Sequence, residues 1–317
     1  MKDSSLLLRM LALVLAVAGV RVASSEPALP ALPCGARSAL GIRYGGQSDH
    51  QVLDAFVPRS AGRHPVVIWI HGGGWSGGDR ISEADYALRL VCRGYVVVGV
   101  DYRRSWEAPY PAQLIDVRNA IRVVRHRAAD LRADPSRVAL WGASAGAHLA
   151  AMVGVTNEWP EASSSPVVDE SSDVQAVVAW WAPTDLLSIA NGWPTTCAPH
   201  RDVADPASNE SRLLGCPTWL CPDAARAASP ITYADRDDPP FLLMSGSVDC
   251  VVPATQARRL AQRLTAVGAR ADLVIVEGLG HGGPGWDQPG VLEHVDRFLD
   301  ATLASTPDRS HDPKHPG

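Results

Sequence analysis

The sequence predicts an α/β domain built on a mostly parallel sheet with helices on both faces, and three observations carry that prediction. Short apolar runs without alternation, Val66-Val67-Ile68-Trp69-Ile70 and residues 95–100 and 138–141, have the character of strands covered on both sides. Between them lie segments whose apolar positions step by three and four, clearest at Leu114, Val117, Ile121, Val124 and Ala128. Strand, helix, strand, helix, strand in that order calls for right-handed crossovers and therefore parallel pairing.

Taken from the N-terminus, residues 1–25 read as a processing segment. Lys2 and Arg9 supply a weakly positive start, residues 10–20 an apolar stretch too short to span a bilayer comfortably, and Ala23 and Ser25 small residues suited to cleavage. Residues 26–40, rich in Pro and Ala without periodicity, read as a linker, and residues 41–304 as one domain. Within it, residues 51–57 alternate and suggest an outer strand. Residues 83–93 are expected to be helical, and Asp134-Pro135-Ser136 to turn the chain into the strand at 138–141. A helix is expected from Ala145, followed by strands at 174–181, 241–244 and 272–276 and helices at 254–267 and 291–303. Residues 186–229 break this rhythm with five Pro, three Cys and two Trp, and read as a lid-like insert. The tail, 305–317, is expected to be disordered.

Composition narrows the function classes. A net charge of -5 leaves no basic footprint for nucleic acid or anionic membrane surfaces, and no stable membrane insertion is expected once the leader is removed. The leader points to a secreted or periplasmic protein, a compartment that permits disulfides. Six cysteines allow 15 complete pairings, so connectivity is not readable. Cys197, Cys216 and Cys221 cluster in the insert and are expected to contribute a bridge. Cys34 follows Pro33, a poor context for lipid attachment. Cys92, in a predicted helix, and Cys250 read equally well as buried thiols. No cysteine pair has zinc-ligand spacing, and neither cofactor nor metal is expected. Oligomeric state is not legible. Asn209-Glu210-Ser211 matches a glycosylation sequon, a pattern cheap enough to carry little weight.

The chemistry concentrates at strand ends. Residues 138–148 hold Gly142, Ser144 and Gly146 between a strand and a helix, the pattern of a nucleophile elbow: the turn is so tight that a Cβ two residues before or after the serine would clash. The strand at 66–70 runs into His71-Gly72-Gly73-Gly74-Trp75. Three glycines in a row are costly in chain entropy, so they are expected to serve close backbone approach, with the amides of Gly73 and Gly74 joining that of Ala145 in an oxyanion hole. A serine hydroxyl needs a base, and the base a partner. His281 lies on a Gly-flanked loop past the last strand, and Asp249 past the strand before it. The order Ser144, Asp249, His281 is the order nucleophile, acid, base of one hydrolase arrangement. His71 and His148 are expected to brace the loop and pack against the elbow, and Asp116 and Asp185 read equally as loop supports or as structural and solvated groups.

With those residues in view, residues 50–302 resemble the α/β-hydrolase superfamily, and within it the secreted hormone-sensitive-lipase-like and feruloyl/acetyl-xylan-esterase-like (BD-FAE) esterases. The resemblance is carried by His71-Gly72-Gly73-Gly74-Trp75, Asp101-Tyr102-Arg103, Trp141-Gly142-Ala143-Ser144-Ala145-Gly146, Gly246-Ser247-Val248-Asp249 and Gly280-His281-Gly282. It implies a carboxylic ester hydrolase with Ser144, Asp249 and His281 as triad and Gly73, Gly74 and Ala145 as oxyanion donors. Cys250 departs from the pattern, as does the cysteine-bearing insert.

Ten tryptophans against three phenylalanines is unusual, and Trp75, Trp193, Trp219 and Trp286 fall in loops near the expected site. Stacking on sugar rings or a hydroxycinnamoyl acyl group is one reading, and core or lid packing is the other. An acetylated or feruloylated polysaccharide is thereby a candidate ester substrate. Two rival classes stand beside it: a serine peptidase of the same fold, and a non-catalytic hydrolase-fold binding protein, which would be expected to have lost a triad member.

Overall fold

The computed structural model describes residues 33–157, 169–198 and 202–304. The expected leader, most of the linker and the tail lie outside them. Eight strands form one sheet in the order β1-β2-β4-β3-β5-β6-β7-β8. β1 (Arg37–Arg43) pairs antiparallel with β2 (Val52–Val57), and β2 antiparallel with β4 (Val96–Val100). From β4 onward every pairing is parallel: β3 (His64–Ile70), β5 (Ala133–Ala143), β6 (Ala176–Trp180), β7 (Phe241–Gly246) and β8 (Ala271–Val276).

The helices are α1 (Asp85–Leu88), α2 (Ala112–His126), α3 (Ala145–Gly154), α4 (Asn209–Leu214), α5 (Pro222–Ala227), α6 (Thr255–Val267) and α7 (Pro289–Thr302). Strand alternation sorts them by face. Val66, Ile68 and Ile70 of β3 share a core with Leu114, Val117 and Ile121 of α2, Leu149 of α3 and Leu260 of α6. The intervening Trp69 points the other way, toward Tyr86 and Trp141. On that second face, α7 is tied to the α1 region by ion pairs of Arg89 with Asp296 and Arg93 with Asp300. The sheet is therefore covered on both sides, which is why β3 and β4 are apolar without alternation.

Three expectations are corrected. β1 begins at Arg37, inside the stretch read as linker, and makes β2 the second strand rather than the outer one. It was invisible because an edge strand with a single buried residue, Ile42, carries no hydrophobic period. Asp134-Pro135-Ser136 lies within β5 rather than in a turn before it. Proline is tolerated there because the ladder with β3 is irregular at that end, where its register shifts between His64 and Val66. All six cysteines are paired: Cys34–Cys92, Cys197–Cys250 and Cys216–Cys221. Cys92 and Cys250 are thus not buried thiols. Both are exposed positions on which pairing, not packing, acts.

The insert also holds more order than its composition suggested. α4 is capped at its start by Ser208, whose side chain accepts the amide of Ser211, and at its end by Gly215 in the left-handed region.

The Cys34–Cys92 bridge closes a loop of 58 residues that includes β1, β2 and β3, and it ties the start of β1 to the segment just before β4. Chain-entropy scaling for that length gives about 4 kcal/mol. A C34S/C92S variant should lose stability of this order in urea denaturation; a loss under about 1 kcal/mol would mean the native edge holds itself.

Candidate active site

β5 ends at Ala143 and α3 begins at Ala145, leaving Ser144 alone on the turn with φ 53° and ψ -119°. A Cβ on Gly146 would lie 2.0 Å from the carbonyl oxygen of Ile70, and one on Gly142 would lie 2.4 Å from the backbone of Gly146. The elbow is therefore possible only because α3 can press against the end of β3 with no side chain between them.

Ser144 Oγ donates to His281 Nε2 at 2.9 Å, and His281 Nδ1 donates to Asp249 Oδ2 at 2.8 Å. Asp249 is fully buried, and its other oxygen accepts the amides of Val251 and Val252, both at 2.8 Å. With its lone pairs so engaged, the carboxylate can turn in neither direction, and it fixes which imidazole nitrogen carries the proton. His281 follows β8 and Asp249 follows β7, neighbouring parallel strands, so two loops far apart in sequence open at the same sheet edge.

The glycine loop closes the site from the other side. Gly73 and Gly74 sit at φ 106° and 58°. Among the described residues no group accepts from their amides, and Ala145 N–H, first in α3, has no partner within the helix. The amides of Gly73, Gly74 and Ala145, the ones the sequence analysis singles out, are thus not spent on hydrogen bonds of the fold. The loop is held from behind. His71 Nδ1 donates to Gly72 O at 2.6 Å, and its ring stacks on Tyr102 at 4.5 Å between centroids. Tyr102 Oη donates to His71 O at 3.0 Å, and Arg104 reaches both Gly78 O at 2.8 Å and the Asp101 carboxylate. Burial alone would push Asp101 up, but contact with His71 and Arg104 outweighs it and holds the carboxyl below its usual range. Asp116, fully buried, takes the guanidinium of Arg103 and the amide of Gln51 and so anchors the same segment.

The cavity over Ser144 measures about 330 Å³, at the small end of ligand pockets. Among the described residues six non-glycine positions have positive φ, and four of them, Trp75, Glu83, Ser144 and Trp181, line this cavity. Backbone strain gathers where a fold holds side chains for a purpose other than stability.

Of the four tryptophans singled out from the sequence, Trp75 alone lines the cavity. Trp286 is fully buried, donates to Gly280 O at 3.1 Å and packs on Trp181 at 4.2 Å; it braces the His281 loop from behind. Trp219 is 65% exposed and Trp193 half-buried, both on the insert and neither against the cavity. The sequence reading missed Glu83, Trp181, Asn209 and Glu210, which do line it. Trp181 sits at the carboxyl end of a predicted strand, a signal that could have found it; Asn209 and Glu210 come from the insert, whose docking no local pattern announces.

Against this geometry, the BD-FAE family matches over residues 53–264. The chain belongs to the BD-FAE family. Esterase LipC of Mycobacterium tuberculosis is 33% identical over 242 residues, which are 75% of this chain and 58% of LipC. The chain thus spans a little over half the length of such curated relatives. Among solved structures, a truncated carbohydrate esterase from gut microbiota superposes with a TM-score of 0.80 at 31% identity, covering 87% of this chain and 99% of that one. Esterase Est2 of Thermogutta terrifontis gives 0.67 at 27% identity, covering 88% and 97%. The family and these structures make the fold an α/β-hydrolase fold.

His148, on α3 one turn past Ser144, donates from Nε2 to Ala228 O at 2.7 Å and accepts Trp75 Nε1–H at Nδ1, 3.2 Å away. It joins the elbow helix, the glycine loop and the end of the insert. Burial drives its pKa from 6.5 down to about 4, so the folded protein keeps it neutral. The associated stability is full above pH 6.5 and is lost as pH falls through 4, amounting to about 3 kcal/mol. Denaturation measured from pH 7 to 4 should show a steeper loss for the wild type than for a His148→Gln variant; parallel curves would contradict the neutral buried imidazole.

Proposed function

We propose that this protein is a secreted serine esterase that cleaves carboxylic esters through an acyl-enzyme, with Ser144 as nucleophile, His281 as general base and acid, and Asp249 as its orienting carboxylate. The observation that carries the reading is the unbroken pair of hydrogen bonds from Ser144 through His281 to Asp249, beneath a cavity edged by free amides.

Each step follows from what the groups can do. His281 Nε2 takes the Ser144 proton as Oγ attacks the ester carbonyl. The carbonyl oxygen becomes an oxyanion, which the amides of Gly73, Gly74 and Ala145 receive without having to reorganise. Asp249 stabilises the imidazolium that forms and remains a carboxylate. His281 then protonates the departing alcohol, and in the second half it draws a proton from water, which attacks the acyl group and frees Ser144.

A small cavity walled by Trp75 and Trp181 and edged by Glu83 and Asn209 favours a short acyl group on a polar, hydroxyl-bearing alcohol. The similar gut-microbiota structure is that of a carbohydrate esterase, and this supports an acylated carbohydrate as the natural ester, with an acetylated polysaccharide fitting the small cavity better than a feruloylated one. The leader-like first 25 residues and three disulfides support a secreted or periplasmic location. Among the described residues, no helix is long and apolar enough to cross a membrane.

Purified protein should turn over p-nitrophenyl acetate faster than p-nitrophenyl octanoate and release acetate from acetylated xylan. Ser144→Ala should abolish all of these, and Asp249→Asn should lower kcat by roughly 10⁴-fold. Turnover surviving in the Ser144→Ala variant would end the assignment. A separate measurement addresses the oxyanion donors: a substitution that tilts the Gly73 or Gly74 amide, such as Gly74→Ala at its left-handed φ, should cost roughly 10²–10³-fold in kcat.

A further inference from the structure

Between Val248, whose N–H donates to Leu279 O at 3.1 Å, and the buried Val252, the loop that carries the acid of the site has little side-chain packing of its own. Of residues 248–251, Val248 is 38% exposed, Val251 is 40% exposed and Cys250 is exposed as well; Asp249 alone is buried. Yet the two amides that hold Asp249 Oδ1 belong to Val251 and Val252, immediately beyond Cys250. The backbone angles at Cys250 therefore set where the Val251 N–H points, and with it the plane of the carboxylate that meets His281.

Cys250 is bonded to Cys197, a buried residue on a short turn of the insert. Around that bond the start of α6 is clasped to the insert and to the two residues just before it. Thr255 Oγ1 donates to Asn191 O at 2.9 Å, Gln256 Oε1 accepts the amides of Thr184 and Asp185, and Arg259 pairs with Asp185 at 2.7 Å. Thr255, Gln256 and Arg259 lie on the helix that follows the acid loop, so those contacts fix the far side of the loop. The loop itself is attached to the insert through the disulfide.

Resting on the esterase reading above, we infer that the Cys197–Cys250 disulfide is a positioning device for the general-base couple: it takes the place of packing in holding Asp249 toward His281, and opening it lowers the rate of attack by Ser144. The other two bridges have no such role. Cys34–Cys92 joins the residues before β1 to those before β4, and Cys216–Cys221 closes a six-residue turn.

The test compares C197S/C250S and C34S/C92S with the wild type, at a temperature well below each melting midpoint. Two readouts are needed: kcat and KM on p-nitrophenyl acetate, and the rate at which a fluorophosphonate is captured by Ser144, which reports nucleophile activation without deacylation. The expected result for C197S/C250S is a fall of roughly tenfold to a hundredfold in both kcat and phosphonylation rate, with KM within about twofold. C34S/C92S should keep both rates while melting earlier. A disulfide that merely stabilises would lower the melting midpoint of C197S/C250S and leave both rates of the folded protein in place, and that result would overturn the inference.

Should C197S/C250S fail to fold, the native enzyme is partially reduced with dithiothreitol. Its two thiols close to a ring disulfide as Cys197 and Cys250 each take up a hydrogen; the freed thiols are alkylated and mapped. Remaining phosphonylation rate should then follow the fraction of molecules with Cys197–Cys250 intact, and a rate that ignores that fraction overturns the inference. Wild-type protein that neither hydrolyses the ester nor captures the phosphonate would instead defeat the esterase reading itself, and this proposal with it.

Discussion

One imidazole has to meet two partners at once, and most of the architecture around it can be understood as the means of making that meeting stationary. His281 lies 2.9 Å from a hydroxyl on the turn after β5 and 2.8 Å from a carboxylate on the turn after β7. Neither distance tolerates much displacement, since hydrogen bonds weaken steeply with misalignment. The parallel sheet solves the coarse part of the problem by opening the turns after β5, β7 and β8 at one edge. The fine part falls to contacts that hold each loop separately.

Those contacts are of different kinds. Behind His281 stands a chain of aromatic rings: Trp69 against Trp141 at 5.6 Å, Trp141 against Trp180 at 4.9 Å, Trp180 against Trp286 at 5.1 Å, and Trp181 against both Trp286 and the His281 ring. Large rigid rings with few torsions hold a loop at low entropic cost. Half of the ten tryptophans of this chain, Trp69, Trp141, Trp180, Trp181 and Trp286, thus serve as a buttress behind the His281 loop. Behind the glycine loop the device is polar: His71, Asp101, Tyr102, Arg103, Arg104 and Asp116 form a network in which buried charges are paired and bonded, as burial demands.

The insert contributes a third device. Its residues reach the cavity through Asn209 and Glu210, its end accepts a hydrogen bond from His148, and its first turn is bonded covalently to the loop of Asp249. A segment that reads from its composition as a cover is in this molecule also part of the frame. It meets all three sides of the site: elbow, glycine loop and acid loop.

The fold class, the strand and helix order and the strand-end location of Ser144, Asp249 and His281 were legible in the sequence, because each is written in local patterns: apolar runs, periods of three and four, and glycines where a Cβ cannot fit. Gly142 and Gly146 could be read as an elbow without coordinates, since the clash they avoid is between neighbours in sequence and the strand beside them. What only the tertiary structure decided are matters of distance between remote segments. β1 shows no hydrophobic period because an edge strand buries almost nothing. Cys250 pairs with Cys197 because the insert folds back over the acid loop, which spacing does not encode. Trp181 faces the cavity and Trp286 does not, although both belong to the same ring cluster, because side-chain direction depends on the backbone angles at the end of β6 and on the route of the His281 loop. Local order is fixed by neighbours along the chain; the walls of a cavity are fixed by which strangers the fold brings together.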